Sequence, residues 1–449
     1  MAGRWTTVAG GLAALVLAAA PGAMAATWSK PLGIGELNNL GPGPYIADDG
    51  TTRVVKGGDG KGLVIEVVTL RPGSSKAKRC RVASRAGSRL EGLVGTAANR
   101  AGAMTLAWAL DSEGDAPDRV WATSAAPGRC FSAPQAVSPK ARSGDLEWTV
   151  LGAGGTTLVH WSERRPGSDA EKHRYAVGRA GGPFGAARKL APPGDPFGIA
   201  PTFVKDDRVL WTWGTREGAG DDGVMRRWAA TSAPRAGAIG KPRQTAATRV
   251  GDPAPHPAHS HALTDAAGGQ VAVSFQEPGL HFWARRPGRS FGDGRTVTIP
   301  DQPRPVDWKS ATNAAGDVAA VVVSNGNVYA VVRRRGGTFG SLQHLNPGDV
   351  APEARNPEVA LDGEGRAVVV WDAYRPGTSG PSDIHVAVAN SAGTFGRAAM
   401  ISGPELHENR WPLVDANRRG RVAISWTRRI FSGSGIGSSR VYVVRGSIR

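Results

Sequence analysis

The sequence has few of the features that mark the common enzyme classes. Only two of its 449 residues are cysteines, so a cysteine-rich zinc or disulfide scaffold is excluded. It contains no H-E-x-x-H pair, no zinc-finger spacing, no Walker loop and no dinucleotide-binding fingerprint. No segment has the 3.6-residue apolar periodicity of an amphipathic helix, which argues against α/β folds. We therefore expect an all-β chain without a bound cofactor.

Long apolar runs are also scarce, and the one near the N-terminus predicts an export signal. Arg4 precedes the apolar run Val8–Ala20, which is shorter than the roughly 20 residues needed to span a bilayer. Residues 23–25 read Ala-Met-Ala, the small-x-small pattern that a signal peptidase requires. We expect residues 1–25 to be a signal peptide and the mature chain to be secreted or extracytoplasmic, with no transmembrane anchor. The alternative is an uncleaved anchor.

The cysteine pair and the charge of the chain bear on its compartment and partners. In an exported chain, Cys80 and Cys130 predict one disulfide, the alternative being two unpaired thiols. The formal net charge of +17 favours anionic neighbours such as acidic glycans, cell-envelope polymers, lipid headgroups or nucleic acid. The densest basic run, Arg333–Arg335, lies at a predicted strand end rather than in a tail. The charge is therefore diffuse, and we discount nucleic acid as a partner.

An internal repeat is the strongest signal in the sequence. A Phe-Gly element recurs in four places: Pro183–Gly185, Ser290–Gly292, Thr338–Leu342 and Thr394–Ala398. An apolar run that ends in an aromatic residue also recurs, and its last residues are Trp108, Trp161, Trp213, Phe275, Trp371 and Trp426, with Val323 in an equivalent place. These end points are 48 to 62 residues apart. With the alternating segments between them, every unit has the pattern of four short strands separated by Gly, Pro, Asp and Asn turns.

Four strands per unit at this spacing are typical of β-propeller blades. We predict a single propeller over residues 26–449, with repeats from about residue 44 to the end and eight four-stranded blades. Seven blades is the alternative, because the first unit, around Leu63–Val68, is faint. The last unit lacks a Phe-Gly strand, and Thr27–Leu32 resembles one. We therefore expect the N-terminal strand, residues 26–36, to complete the last blade and close the ring, which would protect its open edges.

This repeat pattern resembles secreted bacterial β-propellers of the broad sialidase and lectin-like kind. The resemblance covers the whole mature chain and rests on the repeat, not on signature motifs. The nearest segment to a sialidase aspartate box is Leu361–Gly365 before Trp371, and its spacing differs. The Arg-Ile-Pro segment that begins the sialidase arginine triad is missing. The resemblance thus implies the fold and a carbohydrate-related role, without sialidase activity.

A histidine cluster is the candidate metal site of the sequence. His256, His259 and His261 lie close together, and in a strand His259 and His261 would share one face. With Asp265 or His281 they would form a zinc or copper site. Three prolines interrupt the same stretch, so a solvated loop is the alternative interpretation.

The links and loops between the predicted strands supply the candidate ligand-binding residues. Gly-Asp pairs recur where one blade leads to the next, and arginines recur in the loops after the second strands. The candidates are Asp195, Asp252, Asp349, Arg164, Arg216, Arg375 and Tyr374. Together they would give a polar funnel suited to carbohydrate. The alternative is that Gly and Asp stand there only because they favour turns.

Two functions follow from these observations. The first is an exported, non-catalytic and monomeric propeller that binds a glycan, a wall polymer or a protein on its loop face. The second is a glycan-cleaving enzyme, a glycoside hydrolase or polysaccharide lyase, with its acid and base among rim carboxylates such as Asp195, Asp252, Asp349 or Glu405. The missing signature motifs favour the first.

Overall fold

The computed structural model describes residues 26–448 except 37–38, 41–42, 59–62, 86–88, 112–118, 140–142, 165–170, 219–222, 236–238, 250–260, 277–278, 301–304, 348–352, 375–380, 404–406 and 433–434. Over these residues the chain is all-β, as predicted, and the single helical element is one 3₁₀ turn at Lys205–Asp207. The predicted signal peptide lies outside the described residues. No helix in the described part is long and apolar enough to cross a membrane.

The strands form antiparallel units that follow each other along the chain. The first sheet holds β3 (Asn39–Leu40), β4 (Tyr45–Ile46), β5 (Thr52–Gly58), β6 (Leu63–Leu70) and β7 (Ala77–Arg85). The second holds β8 (Arg89–Ala98), β9 (Met104–Asp111), β10 (Arg119–Ala125) and β11 (Gln135–Ala136). The third holds β12 (Ser143–Leu151), β13 (Thr156–Arg164), β14 (Glu171–Arg179) and β15 (Arg188–Lys189).

Three further four-stranded sheets repeat this arrangement. The fourth holds β16 (Pro196–Val204), β17 (Arg208–Glu217), β18 (Val224–Ser232) and β19 (Arg243–Arg249). The fifth holds β20 (His261–Thr264), β21 (Gln270–Gln276), β22 (Gly279–Arg285) and β23 (Arg295–Thr298). The sixth holds β24 (Pro305–Thr312), β25 (Val318–Ser324), β26 (Asn327–Arg333) and β27 (Gln343–His344).

The remaining strands belong to one nine-stranded sheet made of two units. The seventh unit holds β28 (Ala354–Leu361), β29 (Ala367–Tyr374), β30 (Ser382–Val388) and β31 (Ala399–Met400). The eighth holds β32 (Glu408–Ala416), β33 (Arg421–Ser432) and β34 (Gly435–Ile448), together with β1 (Ala26–Trp28) and β2 (Leu32–Glu36). One parallel pair, Ser382 with Glu408, joins the two units.

The hydrophobic core lies between neighbouring sheets rather than inside one of them. All seven residues of β25 are buried, because both faces of this valine-rich strand are covered. Val321 of the sixth sheet packs in one cluster with Val369 and Trp371 of the seventh unit. The tryptophans that end the repeated apolar runs are also buried: Trp108, Trp161, Trp213, Trp371 and Trp426. The tryptophan ends of the repeated runs are therefore core residues.

The Phe-Gly repeat marks the start of a very short outer strand. Phe184, Phe339 and Phe395 each form an isolated bridge to the preceding strand and pack against a core cluster. The strands that follow them, β15, β27 and β31, contain two residues each. The Phe-Gly repeat therefore marks a residue that packs at the edge of its sheet.

The N-terminal strands pair with the last strand of the chain. Thr27 lies opposite Ser447, and Leu32 lies opposite Val443. Ile34 is buried in a cluster with Val54 of the first sheet and Val441 of the eighth unit. The segment 26–36 thus adds two strands to the sheet that contains β34.

The turns between the first and second strands of successive units touch each other. Hydrogen bonds run from Asp48 N to Arg100 O, Asn99 Nδ2 to Gly152 O, Gly154 N to Asp207 Oδ1, Lys205 N to Ala266 O, Ala266 N to Ala314 O, Asn313 Nδ2 to Asp362 O and Asn417 Nδ2 to Ala47 O. Between the seventh and eighth units, Gly363 approaches Arg418 so closely that no side chain would fit. We call this set of contacts the turn belt. Its last bond joins the eighth unit to the first sheet.

One disulfide joins the first two sheets. Cys80 in β7 is bonded to Cys130, which lies beyond β10, and their Cα atoms are 5.7 Å apart. No free cysteine is present among the described residues. The predicted pairing is confirmed, and it adds a covalent link to the hydrogen bonds and side-chain packing between these two units.

Candidate functional site

The structure describes only part of the ligand-binding set that the sequence suggests. Asp195, before β16, and Arg216, near the end of β17, are exposed on the fourth sheet, whereas Tyr374 ends β29 in the seventh unit. Outside the described residues lie Asp252, Asp349, Arg375, Glu405, His256 and His259, and the side chains of Arg164 and His261 are not described either. The residues around Tyr374 are therefore taken as the candidate site.

A repeated β-bulge shapes this environment. In β16, β28 and β32, two residues of the first strand face a single buried tryptophan of the second strand. The first bulge residue has a positive φ in all three strands: 57° at Gly198, 49° at Asn356 and 54° at Trp411. Gly and Asn adopt such a backbone readily, but a bulky residue there costs of the order of 1–3 kcal/mol. Trp411 is therefore the unusual member of the set.

Aromatic and basic side chains stack on each other around this bulge. The guanidinium carbon of Arg355 lies over the Tyr374 ring, 4.9 Å from the ring centre. The guanidinium carbon of Arg410 lies 5.4 Å from the same ring centre. Arg410 also donates to the Tyr374 hydroxyl. The Arg429 guanidinium lies 4.8 Å from the centre of the Trp411 ring. These contacts hold cations on aromatic faces while the Trp411 side chain stays 42% exposed.

Two buried carboxylates lie beneath this layer. Glu408 forms ion pairs with Arg410 and, at 3.4 Å, with Arg429. Asp372 accepts hydrogen bonds from Asn356 Nδ2 at 2.8 Å and from the Trp411 backbone N–H at 3.3 Å. Burial raises the pKa of Asp372 to about 7, although these hydrogen bonds and the nearby arginines act in the opposite direction. Asp372 therefore changes its charge near neutral pH.

These residues form one continuous chemical surface, which we call the Trp411 surface. It comprises Arg355, Asp372, Tyr374, Glu408, Arg410, Trp411 and Arg429. An exposed indole face can stack on the apolar face of a sugar ring, and guanidinium groups bind carboxylates or sulfates. The combination suits an acidic saccharide better than an apolar ligand.

Exposed aromatics recur at the same kind of position elsewhere. Four large hydrophobic side chains are exposed in the described part: Trp148, Phe197, Met400 and Trp411. The three aromatic ones lie at first-strand bulges, in β12, β16 and β32, while Met400 belongs to a short outer strand. First-strand bulges thus present aromatic rings to solvent at more than one unit.

The structure also assembles a histidine cluster that the sequence analysis missed. His160 of β13, His173 of β14 and Glu147 of β12 offer ligand atoms that all lie within 4.8 Å of one another. Burial, with a smaller effect of His173, lowers the pKa of His160 to about 3, so its imidazole is neutral. The three residues lie on three consecutive strands, 13 positions apart in the sequence, and follow no metal-binding spacing. Only the strand pairing brings them together.

Comparison with known proteins identifies the fold. No family model and no curated protein matches the chain. The chain is similar to prolyl oligopeptidase B from Galerina marginata (TM-score 0.50, 10% identity), over 90% of this chain and 55% of that one, so it spans about half of that protein. It is also similar to the β-propeller domain of the Trilobed protease from Pyrococcus furiosus (TM-score 0.44, 10% identity, 84% and 98% covered) and to an α-L-arabinofuranosidase from Fusarium graminearum (TM-score 0.41, 12% identity, 69% and 99% covered). At such low identity the similarity shows the fold alone, and this fold is a β-propeller.

Proposed function

We propose that the protein is an exported, non-catalytic propeller that binds an anionic glycan or cell-envelope polymer through the Trp411 surface. The observation that carries the proposal is Trp411 itself. A bulky residue is kept at a positive φ, at a cost in stability, and its ring remains exposed beside three arginines. A core requirement does not explain this choice, because Gly and Asn occupy the equivalent bulge position in other units.

Charge supports an anionic ligand. Arg355, Arg410 and Arg429 carry three positive charges, and the buried Glu408 together with Glu353, which pairs with Arg355, neutralises part of them. The whole chain is strongly basic as well. Binding would therefore weaken as the salt concentration rises, since exposed charges are screened over about 10 Å at 0.1 M salt.

The substitution Trp411→Gly tests this function. A tryptophan at the centre of an interface typically contributes about 2 kcal/mol or more, so we expect the Kd for an acidic glycan to rise by roughly 30-fold. Glycine relieves the positive φ, so the melting temperature should not fall. A glycan array followed by titration calorimetry on the best ligand provides the measurement.

Met400→Ala is the matched control for this experiment. Met400 is also an exposed large apolar residue, but it lies on the outer strand β31. We expect it to bind like the wild type. If Trp411→Gly and Met400→Ala both bind normally, the Trp411 surface is not the binding site.

A second function, glycan cleavage, has one observation in its favour. Asp372 is a buried carboxyl with a pKa of about 7, as a general acid requires, and Arg410 lies near both Asp372 and the second carboxylate, Glu408. A screen on acidic polysaccharides, with Asp372→Asn as the inactive control, tests it. Turnover by the wild type that Asp372→Asn abolishes would replace the binding proposal. The earlier candidates Asp195, Asp252, Asp349 and Glu405 stay predictions.

The architecture that we propose for this function is one domain of eight blades over residues 26–449. The turn belt supports it, because its contacts pass through eight successive turns and return from Asn417 to Ala47. The pairing of β1 and β2 with β34 supports closure of the ring by the N-terminal segment. Export with loss of residues 1–25 and a monomeric state are also proposals; the Cys80–Cys130 bond supports an oxidising compartment.

A further inference from the structure

We propose that Glu147, His160 and His173 form a binding site for a divalent transition-metal ion, with Zn²⁺ as the best match. The site lies in the third sheet, on the face directed toward Trp211 of the fourth sheet. It is independent of the Trp411 surface, which belongs to the seventh and eighth units.

Strand register explains how the three side chains meet. His160 pairs with Tyr175, and His173 pairs with Ser162, so the two histidines are diagonal neighbours on one face of β13 and β14. The pairing of β12 with β13 shifts at a bulge between Leu146 and Trp148. Glu147 is the extra residue of this bulge, which turns its carboxylate toward the histidines.

Three histidine nitrogens of this site are buried without a hydrogen-bond partner in the described part of the chain. His160 is fully buried, and neither its Nδ1 nor its Nε2 has a hydrogen-bond partner within the described part of the chain. The Nδ1 of His173 is likewise buried without a partner. Buried polar atoms are nearly always satisfied, and exceptions call for an explanation such as a bound ion or water. Because an imidazole gives one nitrogen to a given ion, one nitrogen of each histidine beside the Glu147 carboxylate points to a bound cation.

The donor set selects the class of ion. Two neutral imidazoles and a carboxylate suit Zn²⁺ or Cu²⁺, whereas Mg²⁺ and Ca²⁺ prefer oxygen donors. The Glu147 carboxylate lies 3.9 Å from His160 Nδ1 and 4.0 Å from His173 Nδ1. Tetrahedral zinc, with bonds of about 2.0–2.1 Å, needs ligands about 3.3 Å apart. Side-chain rotations that shorten the separations to the carboxylate by about 0.6 and 0.7 Å, and that between the histidine nitrogens by at most about 1.5 Å, complete the site and leave a fourth position open.

The surroundings favour a cation and give it a structural role. Asp145 and Glu171 add negative charge near Glu147, which raises the local affinity for a positive ion. The Trp211 ring, whose centre lies 6.0 Å from the centre of the His160 ring, covers the site from the fourth sheet. The Glu147 side chain is 25% exposed and offers the ion a way in. A bound ion would cross-link β12, β13 and β14 of one unit.

Titration of untagged, EDTA-treated full-length protein tests the proposal. We expect one equivalent of Zn²⁺ to bind with an increase in melting temperature, and no comparable effect of Mg²⁺. Co²⁺ should give the visible absorption of a tetrahedral site. Loss of a residue that only hydrogen-bonds to a metal ligand lowers metal affinity about 10- to 100-fold. Glu147 and His173 are ligands themselves, so Glu147→Gln and His173→Gln should weaken Zn²⁺ binding at least about 100-fold.

Two control variants make the result specific. His385→Gln changes a histidine that stacks on Trp371 away from the cluster, and it should retain the Zn²⁺ equivalent. A variant with His256, His259 and His261 replaced by alanine should also bind one equivalent of Zn²⁺. If this variant does not bind Zn²⁺, the metal site lies in that segment instead. The proposal is overturned if the folded wild type binds no Zn²⁺, or if Glu147→Gln, which removes a partly exposed ligand and should still fold, binds it as tightly as the wild type.

Discussion

At the scale of single residues, the charge of Asp372 depends on its surroundings. Its carboxyl is buried beneath Arg410 and Tyr374, and it accepts hydrogen bonds from Asn356 and the Trp411 backbone. Burial raises its pKa from 3.8 to about 7. Its charge, and with it the field at the Trp411 surface, therefore changes near neutral pH.

We predict a pH-dependent stability difference between the wild type and Asp372→Asn. The folded-state pKa of Asp372 is raised, so its favourable contribution is complete below about pH 4 and is lost as the pH rises toward 7. Asparagine keeps the acceptor oxygen but cannot ionise. The variant should gain stability relative to the wild type between these pH values, by at most about 1.4 kcal/mol per pH unit.

Urea unfolding of both proteins at pH 4.5, 6 and 8 measures this difference. Groups that titrate identically in the two proteins cancel in the comparison. A difference that stays constant across the three pH values would show that Asp372 is ionised throughout. A wild type that gains stability with rising pH relative to the variant would reverse the assignment.

At the scale of strands, the N-terminal segment is an integral part of the last unit. β2 pairs with β34 and shifts its register between Gly33 and Gly35, around Ile34. The Ile34 side chain is buried between the first sheet and the eighth unit. The segment therefore contributes core packing as well as hydrogen bonds to an otherwise open edge.

Truncation of Ile34 measures this contribution. Removal of a buried isoleucine side chain to alanine costs about 2–5 kcal/mol, and to valine about 0.5–1.5 kcal/mol. We expect Ile34→Ala and Ile34→Val to lower the free energy of unfolding by these amounts in urea titrations. If both variants are as stable as the wild type, the N-terminal segment is not packed as the structure shows.

At the scale of the whole molecule, the turn belt links the ends of the chain. Asn417 is fully buried, its amide Nδ2 donates to the Ala47 carbonyl, and its Oδ1 accepts from Arg419 and Arg421. Asp415 also accepts a hydrogen bond from Ile46. These bonds connect the eighth unit to the first, some 370 residues apart in the chain.

Asn417→Ala tests the belt at this junction. The loss of a buried amide leaves unsatisfied backbone groups and should cost about 1–3 kcal/mol in the free energy of unfolding. Asn390→Ala is the matched control, because Asn390 Oδ1 accepts hydrogen bonds from the backbone N–H groups of Ala392 and Thr394 within its own turn. We expect this control to cost less, and equal losses measured by thermal and urea unfolding would contradict a special role for the junction.

The repeat, the strand-rich units and the disulfide pair could be predicted from the sequence. These features depend on local periodicity and on spacing along the chain, which a single sequence displays. Which polar residues meet could not be predicted in this way. The bulges that expose Trp411 and turn Glu147 toward His160 arise from strand register, and the pKa of Asp372 arises from burial between units. Register and burial depend on contacts between residues distant in the chain, so no local pattern encodes them.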